Sequence, residues 1–362
     1  MITLTTSRTP LDPEHVPGAV EALLHEFLET QIDNAPDLPE LDLFAGMLRS
    51  MIAEGGKRIR PVLCVVGWQS VTDRQPPQAV WRVAASLELF HLFALIHDDI
   101  MDASMTRRGQ PTAHCSLAAR HADRDDAAAL GVNAAILLGD LALGWSYELL
   151  HTTRPGPARH LSRAWPLFNA LRTETLVGQY LDLLGSGPGA AARPDVTAAR
   201  RVIRYKTAKY TCERPLQLGA HLAGAGTRAL AALSAYALPL GEAFQLRDDL
   251  LGVYGDPERT GKSVLDDLRE GKHTVLAATA LQRATPAQAS VLRSGLGNRA
   301  LTEAHASTIR EVFGATGARN AVENLISQRC EEALAALDDA PLRPGATATL
   351  RSLAAAAVTR TA

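Results

Sequence analysis

Residues 76–112 read PPQAVWRVAASLELFHLFALIHDDIMDASMTRRGQPT. Pro76-Pro77 opens a stretch, Ala79 to Asp102, in which Leu87, Phe90, His91, Ala94, Ile96 and Met101 mark a largely buried helix. That helix ends in carboxylates. Asp98 and Asp102 are four residues apart, so one helical face carries both, with Cβ atoms about 6 Å apart. Like charges at that spacing repel unless a cation lies between them. The polar run Ala103 to Thr112 follows, with Gly109 and Pro111, and reads as a loop.

Outward from this stretch the pattern stays helical. Val16–Ile32, Leu41–Ala53 and Ile59–Val71 precede it, with Gly55-Gly56 breaking the chain between the last two. Asp125–Leu150, Pro166–Leu184, Asp195–Gly219, Arg228–Val253 and Lys272–Arg283 follow, then weaker helices to the C-terminus. Pro215 should bend its helix. GSGPGAAARP, Gly185 to Pro194, is a linker, and Tyr254 to Gly271 reads as a mobile acidic loop. Strand-like alternation and internal repeats are missing. The expectation is an all-α, single-domain helical bundle over residues 16–362, behind a flexible tail over residues 1–15.

Composition narrows the function classes. The 362 residues carry 37 Lys+Arg against 39 Asp+Glu, a net charge of −2, which offers no global attraction to nucleic acid or anionic membrane. Four cysteines, at 64, 115, 212 and 330, lack CxxC spacing, which excludes a zinc ribbon and fits a reduced cytoplasmic protein. The N-terminus shows no signal-peptide pattern. The most apolar run, Ala127 to Trp145, is interrupted by Asn133 and Asp140 and is expected to be a buried core helix rather than a membrane span.

Lysine is rare: five residues, at 57, 206, 209, 262 and 272, within the 37 cations. Lysine offers a compact charge with three rotatable donors where arginine offers a rigid fork, so the retained lysines mark candidate sites. Asp-Asp pairs occur five times and are individually weak signals, but Asp98-Asp99 and Asp248-Asp249 both end apolar helices. At the second patch, Phe244 to Asp249, hard oxygen ligands with no His or Cys nearby suit magnesium, which keeps waters and bridges to phosphates. Near these patches Arg107-Arg108 sit on a short loop, and Gly55-Gly56-Lys57-Arg58-Ile59-Arg60 sets cations near a helix start. Two acidic patches with clustered cations describe a site for two polyphosphate groups.

Four segments, GGKRIRP, LIHDDIMDASMTRRGQPTAH, YKTAKYTCERP and FQLRDDLLGVYGDPERTGKSVLDDLREGKHT, occur in the order seen in the trans-isoprenyl diphosphate synthases, and the chain resembles that family over about residues 50 to 280. The resemblance implies an α-helical barrel around a deep cavity, usually in a homodimer. It implies that Asp98, Asp102 and Asp248 bind magnesium, three ions per site, and that Gly56, Lys57, Arg60, His91 and Arg108 hold isopentenyl diphosphate. Arg107, Lys206 and Lys262 would hold the allylic diphosphate, Thr207 and Gln245 would lie near the forming cation, and Lys272 would help close the loop.

One position departs from the family pattern: Gly252 stands where a DDxxD motif has its third Asp. Chain length in the family follows bulk up the helix from the first aspartate. Ala94, Phe93 and Phe90 lie four, five and eight residues before Asp98, roughly 6, 7.5 and 12 Å deeper. An aromatic at the fifth position without one at the fourth resembles twenty-carbon producers, so geranylgeranyl diphosphate is the expected product and farnesyl diphosphate the alternative. A terpene cyclase on the same fold and a non-catalytic partner subunit are the rival readings. A cyclase has no need of GGKRIR or the RRG loop, and a regulatory subunit is expected to have lost aspartates or lysines that this chain keeps.

Overall fold

The computed structural model describes residues 12–151, 158–186, 195–256 and 264–359. They form a helical chain that divides into two compact units. The first comprises Met1–Ala164, Leu218–Ala225 and Arg343–Ala346, and the second Trp165–Gln217, Gly226–Leu342 and Thr347–Ala362. The chain passes between them several times, so no single linker separates them.

The first unit holds α1 (Val16–Asp33), α2 (Glu40–Ala53), α3 (Ile59–Gln69), α4 (Gln78–Met101), α5 (Ala113–Ala119) and α6 (Ala127–His151). Order begins ahead of the boundary expected at residue 16: Pro13–His15 form a 3-10 turn capped by Asp12, whose carboxylate accepts from Glu14 N–H at 3.0 Å. At the centre lies α4, packed against α1, α3 and α6, with Leu87, Leu89, Phe90 and Ile96 buried. Such a helix is apolar all round because it has neighbours on every side. Gly139 of α6 lets that helix close on α4, since a Cβ there would overlap the His97 ring.

Helix α6 differs from expectation. It is not a buried core helix: Gly131, Ala135, Leu138, Ala142, Trp145 and Leu149 form the packed stripe, while the other side is exposed, with Leu137 60% accessible. α4 and α6 are both long and apolar enough to cross a membrane. The exposed side of α6 also carries Asn133 and Asp140, whose burial in hydrocarbon is costly.

The second unit is built around α10 (Thr227–Tyr254). α7 (Ala158–Gly185) starts earlier than the expected Pro166, and after it comes α8 (Val196–Val202). The chain then continues as a π-helical segment, Ile203–Glu213, before α9 (Arg214–Leu222). Instead of a simple bend, a widened register precedes Pro215: Arg214 N–H donates to Lys209 O, five residues back. Proline has no N–H and its ring crowds the carbonyl four residues earlier, which a wider turn relieves.

Part of the expected acidic loop is helical, as α11 (Asp266–Glu270), and α12 (Val275–Arg283) starts later than Lys272 because Thr274 caps it, accepting from Ala277 N–H at 3.1 Å. Most of the expected linker, residues 187–194, and residues 257–263 lie outside the described residues. Ile203, Leu246, Leu250, Val253, Leu268, Leu276, Ile309 and Ile326 are among the buried core of this unit.

Candidate active site

The first acidic patch sits at the C-terminus of α4. Asp102 N–H donates to Asp98 O at 2.9 Å, completing the last turn, so the two aspartates share a face as their spacing requires. Asp99 turns inward and is 2% exposed. Its carboxylate receives Arg107: Nε lies 2.9 Å from both oxygens and Nη2 2.6 Å from Oδ1. Arg107 Nη2 also approaches Asp98 Oδ2 at 3.9 Å. Burial opposes the guanidinium charge, but the hydrogen bonds it donates to Asp99 and the charges of Asp99, Asp98 and Asp102 outweigh it and raise Arg107 above its usual range. Arg107, expected on a diphosphate, is thus tied to the acidic helix end by a bidentate pair.

The segment expected as a loop is a minimal hairpin. β1 (Thr106–Arg107) and β2 (Gln110–Pro111) pair antiparallel, with Arg107 opposite Gln110, around the two-residue turn Arg108-Gly109. Both turn residues have positive φ, 52° and 77°, the type I′ pattern whose twist matches the strands. The turn aims Arg108 at the other cationic motif: its guanidinium donates to Gly55 O and lies 3.0 Å from where a Gly56 side chain would begin. Gly56, with φ of 143°, therefore serves both the backbone path and the close approach.

Arg58 anchors the same motif, as sequence reasoning did not foresee. It is buried, donates to the Glu88 carboxylate and Ile52 O, and holds a positive φ of 43°. A signal was available in Glu88, an acid enclosed between Leu87 and Leu89 in an apolar helix. Lys57 is exposed, and Arg60 lies in the first turn of α3. His91 sits two turns before Asp98 on α4. Burial holds it well below its ordinary value, and Arg60, Arg107, Arg108 and Arg58 push it the same way. A neutral imidazole with Arg58, Arg60, Arg107 and Arg108 around it gathers four guanidiniums in this part of the first unit, a setting chemically suited to an anion; Arg107, expected with Lys206 and Lys262 rather than with this group, lies here beside His91.

The three residues expected to set chain length have different settings. Phe90 is fully buried and packs on Phe93, ring centroids 5.3 Å apart, which makes it core. Phe93 is 5% exposed and also contacts His97 at 4.8 Å. Ala94, one turn from Asp98, is half-buried.

In the second unit the π segment carries Lys206 and Thr207. Lys206 Nζ pairs with Asp182 Oδ2 at 2.6 Å, a partner not anticipated from sequence. Thr207 Oγ1 donates to Gln245 Oε1 at 2.7 Å, and Gln245 Nε2 donates to Asp249 Oδ1 at 2.8 Å. This chain joins the π segment to the second acidic patch on α10. Burial raises Asp249, its hydrogen bond to Gln245 opposes, and Asp267 and Asp248 add to the rise, taking it to about 7.

Asp267 resolves the departure at Gly252. A Cβ on Gly252 would press into the Asp267 carboxylate, 2.8 Å from its Cγ and closer still to Oδ2. The space a third aspartate would need on α10 is occupied by a carboxylate from α11. Lys272, expected to help close the loop, pairs with Asp267 at 3.2 Å and Glu270 at 2.9 Å. Lys262 lies outside the described residues.

Among the described residues, no three His, Cys, Asp or Glu side chains converge as a ready-made metal cage. The donor set is two neighbouring carboxylates at a helix end, all hard oxygen. That fits magnesium, which takes one or two carboxylates and completes its shell with waters and substrate oxygens, and does not fit a protein-only site.

Comparison with known proteins agrees with this chemistry. Residues 42–313 match the family model for polyprenyl synthetase. The geranylgeranyl diphosphate synthase of Saccharolobus solfataricus is 33% identical over 254 residues, 69% of this chain and 70% of that one. The octaprenyl diphosphate synthase of Escherichia coli is 33% identical over 299 residues, 81% and 83% of the two chains. Among solved structures, geranylgeranyl pyrophosphate synthase from Corynebacterium glutamicum, complexed with isoprenyl diphosphate and magnesium, superposes with a TM-score of 0.91 at 40% identity. The match covers 97% of this chain and 100% of that one.

Proposed function

The chain belongs to the polyprenyl synthetase family, and from that premise we propose that it is a magnesium-dependent prenyltransferase joining isopentenyl diphosphate to an allylic diphosphate, with geranylgeranyl diphosphate as product. The observation that carries the reading is the end of α4, where Asp98 and Asp102 share a face beside the basin of Arg60, His91, Arg107 and Arg108. A cyclase acting on one diphosphate has no use for that basin.

Asp98 and Asp102, and by the family resemblance Asp248, would hold magnesium. Bound magnesium supplies neutralisation of the diphosphate charge as the allylic C–O bond breaks. Lys206 is held by Asp182 and Arg107 by Asp99; each would offer the leaving diphosphate a positive charge that needs no reorganisation during the step. Lys57, Arg60 and Arg108 would bind the homoallylic diphosphate, with His91 donating as a neutral imidazole. Thr207 and Gln245 form an oriented dipole chain suited to the allylic cation, which the double bond of isopentenyl diphosphate attacks. The departing diphosphate takes the proton lost in forming the new double bond, so no protein base is required.

Phe93 would form the floor that limits growth at twenty carbons. A homodimer is part of the proposal: the exposed side of α6, with Ile136 and Leu137, offers an apolar surface for a second copy. A cytoplasmic setting is proposed from the four cysteines, all free thiols. The test is a product assay with magnesium, isopentenyl diphosphate, and dimethylallyl, geranyl or farnesyl diphosphate in turn. A twenty-carbon diphosphate supports the reading, a fifteen-carbon product overturns the chain-length part, and no condensation with any starter overturns the synthase assignment.

A further inference from the structure

Behind Lys206 lies a charged network that the reaction does not use. Glu174 of α7 accepts from Lys209 Nζ at 2.5 Å, and from Arg214 at 2.7 Å through both Nε and Nη2. Arg214 Nη1 donates to Gln217 Oε1 at 2.6 Å, and Gln217 Nε2 donates to Ser234 Oγ at 2.7 Å. Glu213 is buried beside them, its Oε2 3.9 Å from Arg214 and 4.0 Å from Lys209. Burial alone would raise the Glu174 carboxyl, but hydrogen bonds from Arg214 and Lys209 outweigh it and hold it below the usual carboxylate range.

The two cations are five residues apart, and they are the pair whose backbones are joined by the Arg214 N–H to Lys209 O bond. In an α-helix, at about 100° per residue, positions five apart point roughly 140° away from each other. A π turn, closed by the five-residue bond, brings them nearly one above the other. One carboxylate taking both side chains therefore favours the π register over the α register. The same face of α7 continues to the site. Four residues on, Gly178 abuts the backbone of the π segment, where a Cβ would lie 2.5 Å from Lys206 N. Four further on, Asp182 takes Lys206 Nζ.

We propose that Glu174 is a positioning residue: by clasping Lys209 and Arg214 it fixes the π register of Ile203–Glu213, and with it the placement of Lys206 and Thr207. The inference rests on the reading of Lys206 as an allylic-diphosphate ligand.

The test compares Glu174→Gln, Glu174→Asp, Lys206→Met and the double variant Glu174→Gln with Lys206→Met, each checked for far-UV circular dichroism and Tm. With the wild-type enzyme active, Glu174→Gln is expected to lose roughly 10- to 100-fold in kcat/KM for the allylic substrate, with KM for isopentenyl diphosphate unchanged. Glu174→Asp should recover part of that loss. Adding Glu174→Gln to Lys206→Met should cost clearly less than the product of the two single losses, because much of the first effect acts through the second. Additive losses, or a lowered Tm with unchanged kcat/KM, would overturn the proposal. Should Glu174→Gln fail to fold, Lys209→Gln removes one clasp and leaves the Arg214 pair, and must show a smaller loss in the same constant. Calorimetric binding of inorganic pyrophosphate with magnesium reads the same positioning without turnover. A weaker pyrophosphate affinity in Glu174→Gln therefore supports the inference even if condensation is never seen, and an unchanged affinity opposes it.

Discussion

Restoring the third aspartate of the second motif, Gly252→Asp, should damage the enzyme rather than improve it. Read along the chain, DDLLG lacks a carboxylate that family members often carry, and replacing it looks like a repair. In three dimensions the position is already filled. Any Cβ on residue 252 meets the Asp267 carboxylate, 2.8 Å from Cγ and nearer to Oδ2, below the 3.0 Å that real Cβ contacts keep. The carboxylate must retreat by on the order of 1 Å, a displacement that at a reacting centre can cost about 100-fold. Its bond to Lys272 is 3.2 Å long and has little slack, so it is lost, a charged hydrogen bond worth about 1.5–3 kcal/mol. The new carboxylate also adds a negative charge near Asp249, which burial, with its acidic neighbours, already pushes up to about 7.

Gly252→Ala separates the steric part from the charge. Alanine gains about 1 kcal/mol of helix propensity, which offsets part of the packing strain, so Tm should move only a few degrees. The assay is steady-state kcat and KM for both substrates, with a magnesium titration. Gly252→Ala should lower kcat/KM for the allylic substrate roughly tenfold, and Gly252→Asp about 100-fold. Gly144→Ala is the control, since nothing lies within 4 Å of a Cβ there. Wild-type or better kcat/KM in Gly252→Asp would refute the claim that Asp267 already occupies the place.

Other substitutions probe separate parts of the argument. Asp98→Ala should abolish turnover, by more than about 1,000-fold, and leave the circular dichroism helical; full activity would sink the metal assignment. Arg58→Met strands the buried Glu88 and should cost about 3–5 kcal/mol in urea unfolding, whereas a change below about 1 kcal/mol would show that the pair is not structural. Phe93→Ala should shift the product beyond twenty carbons by chromatography of the dephosphorylated prenols, and an unchanged product removes Phe93 as the floor. His91 gives a pH signature. Its folded form is held well below 6.5, so as pH falls through 6.5 the unfolded chain gains a proton that the folded chain refuses, and stability falls by up to about 1.4 kcal/mol per pH unit. Unfolding midpoints at pH 7, 6 and 5 should fall less steeply in His91→Asn than in the wild type.

Sequence periodicity was enough for the helical class and for most helix positions, because burying one face of a helix requires spacing that is visible in one dimension. α1 and α10 begin and end within a residue or two of expectation. Asp98 and Asp102 were legible for the same reason: a four-residue spacing on a helix fixes a shared face locally. The rarity of lysine likewise drew attention to positions 57, 206, 209 and 272 without any coordinates.

What the tertiary structure alone decided is which groups answer each other. Asp99 and Asp98 are indistinguishable as letters, yet packing buries Asp99 in a bidentate pair with Arg107 and leaves Asp98 half-buried at 3.9 Å from the same guanidinium. Asp182 pairs with Lys206 across 24 residues, Glu174 with Arg214 across 40, and Asp249 with Gln245 across one helical turn. The π register before Pro215 depends on the α7 face that clasps it, and Gly252 is explained by a carboxylate fifteen residues away. Local spacing encodes a helix because its hydrogen bonds close within a few residues. The partner of a buried charge is set by which elements the hydrophobic core brings together, and a single chain carries no local mark of that.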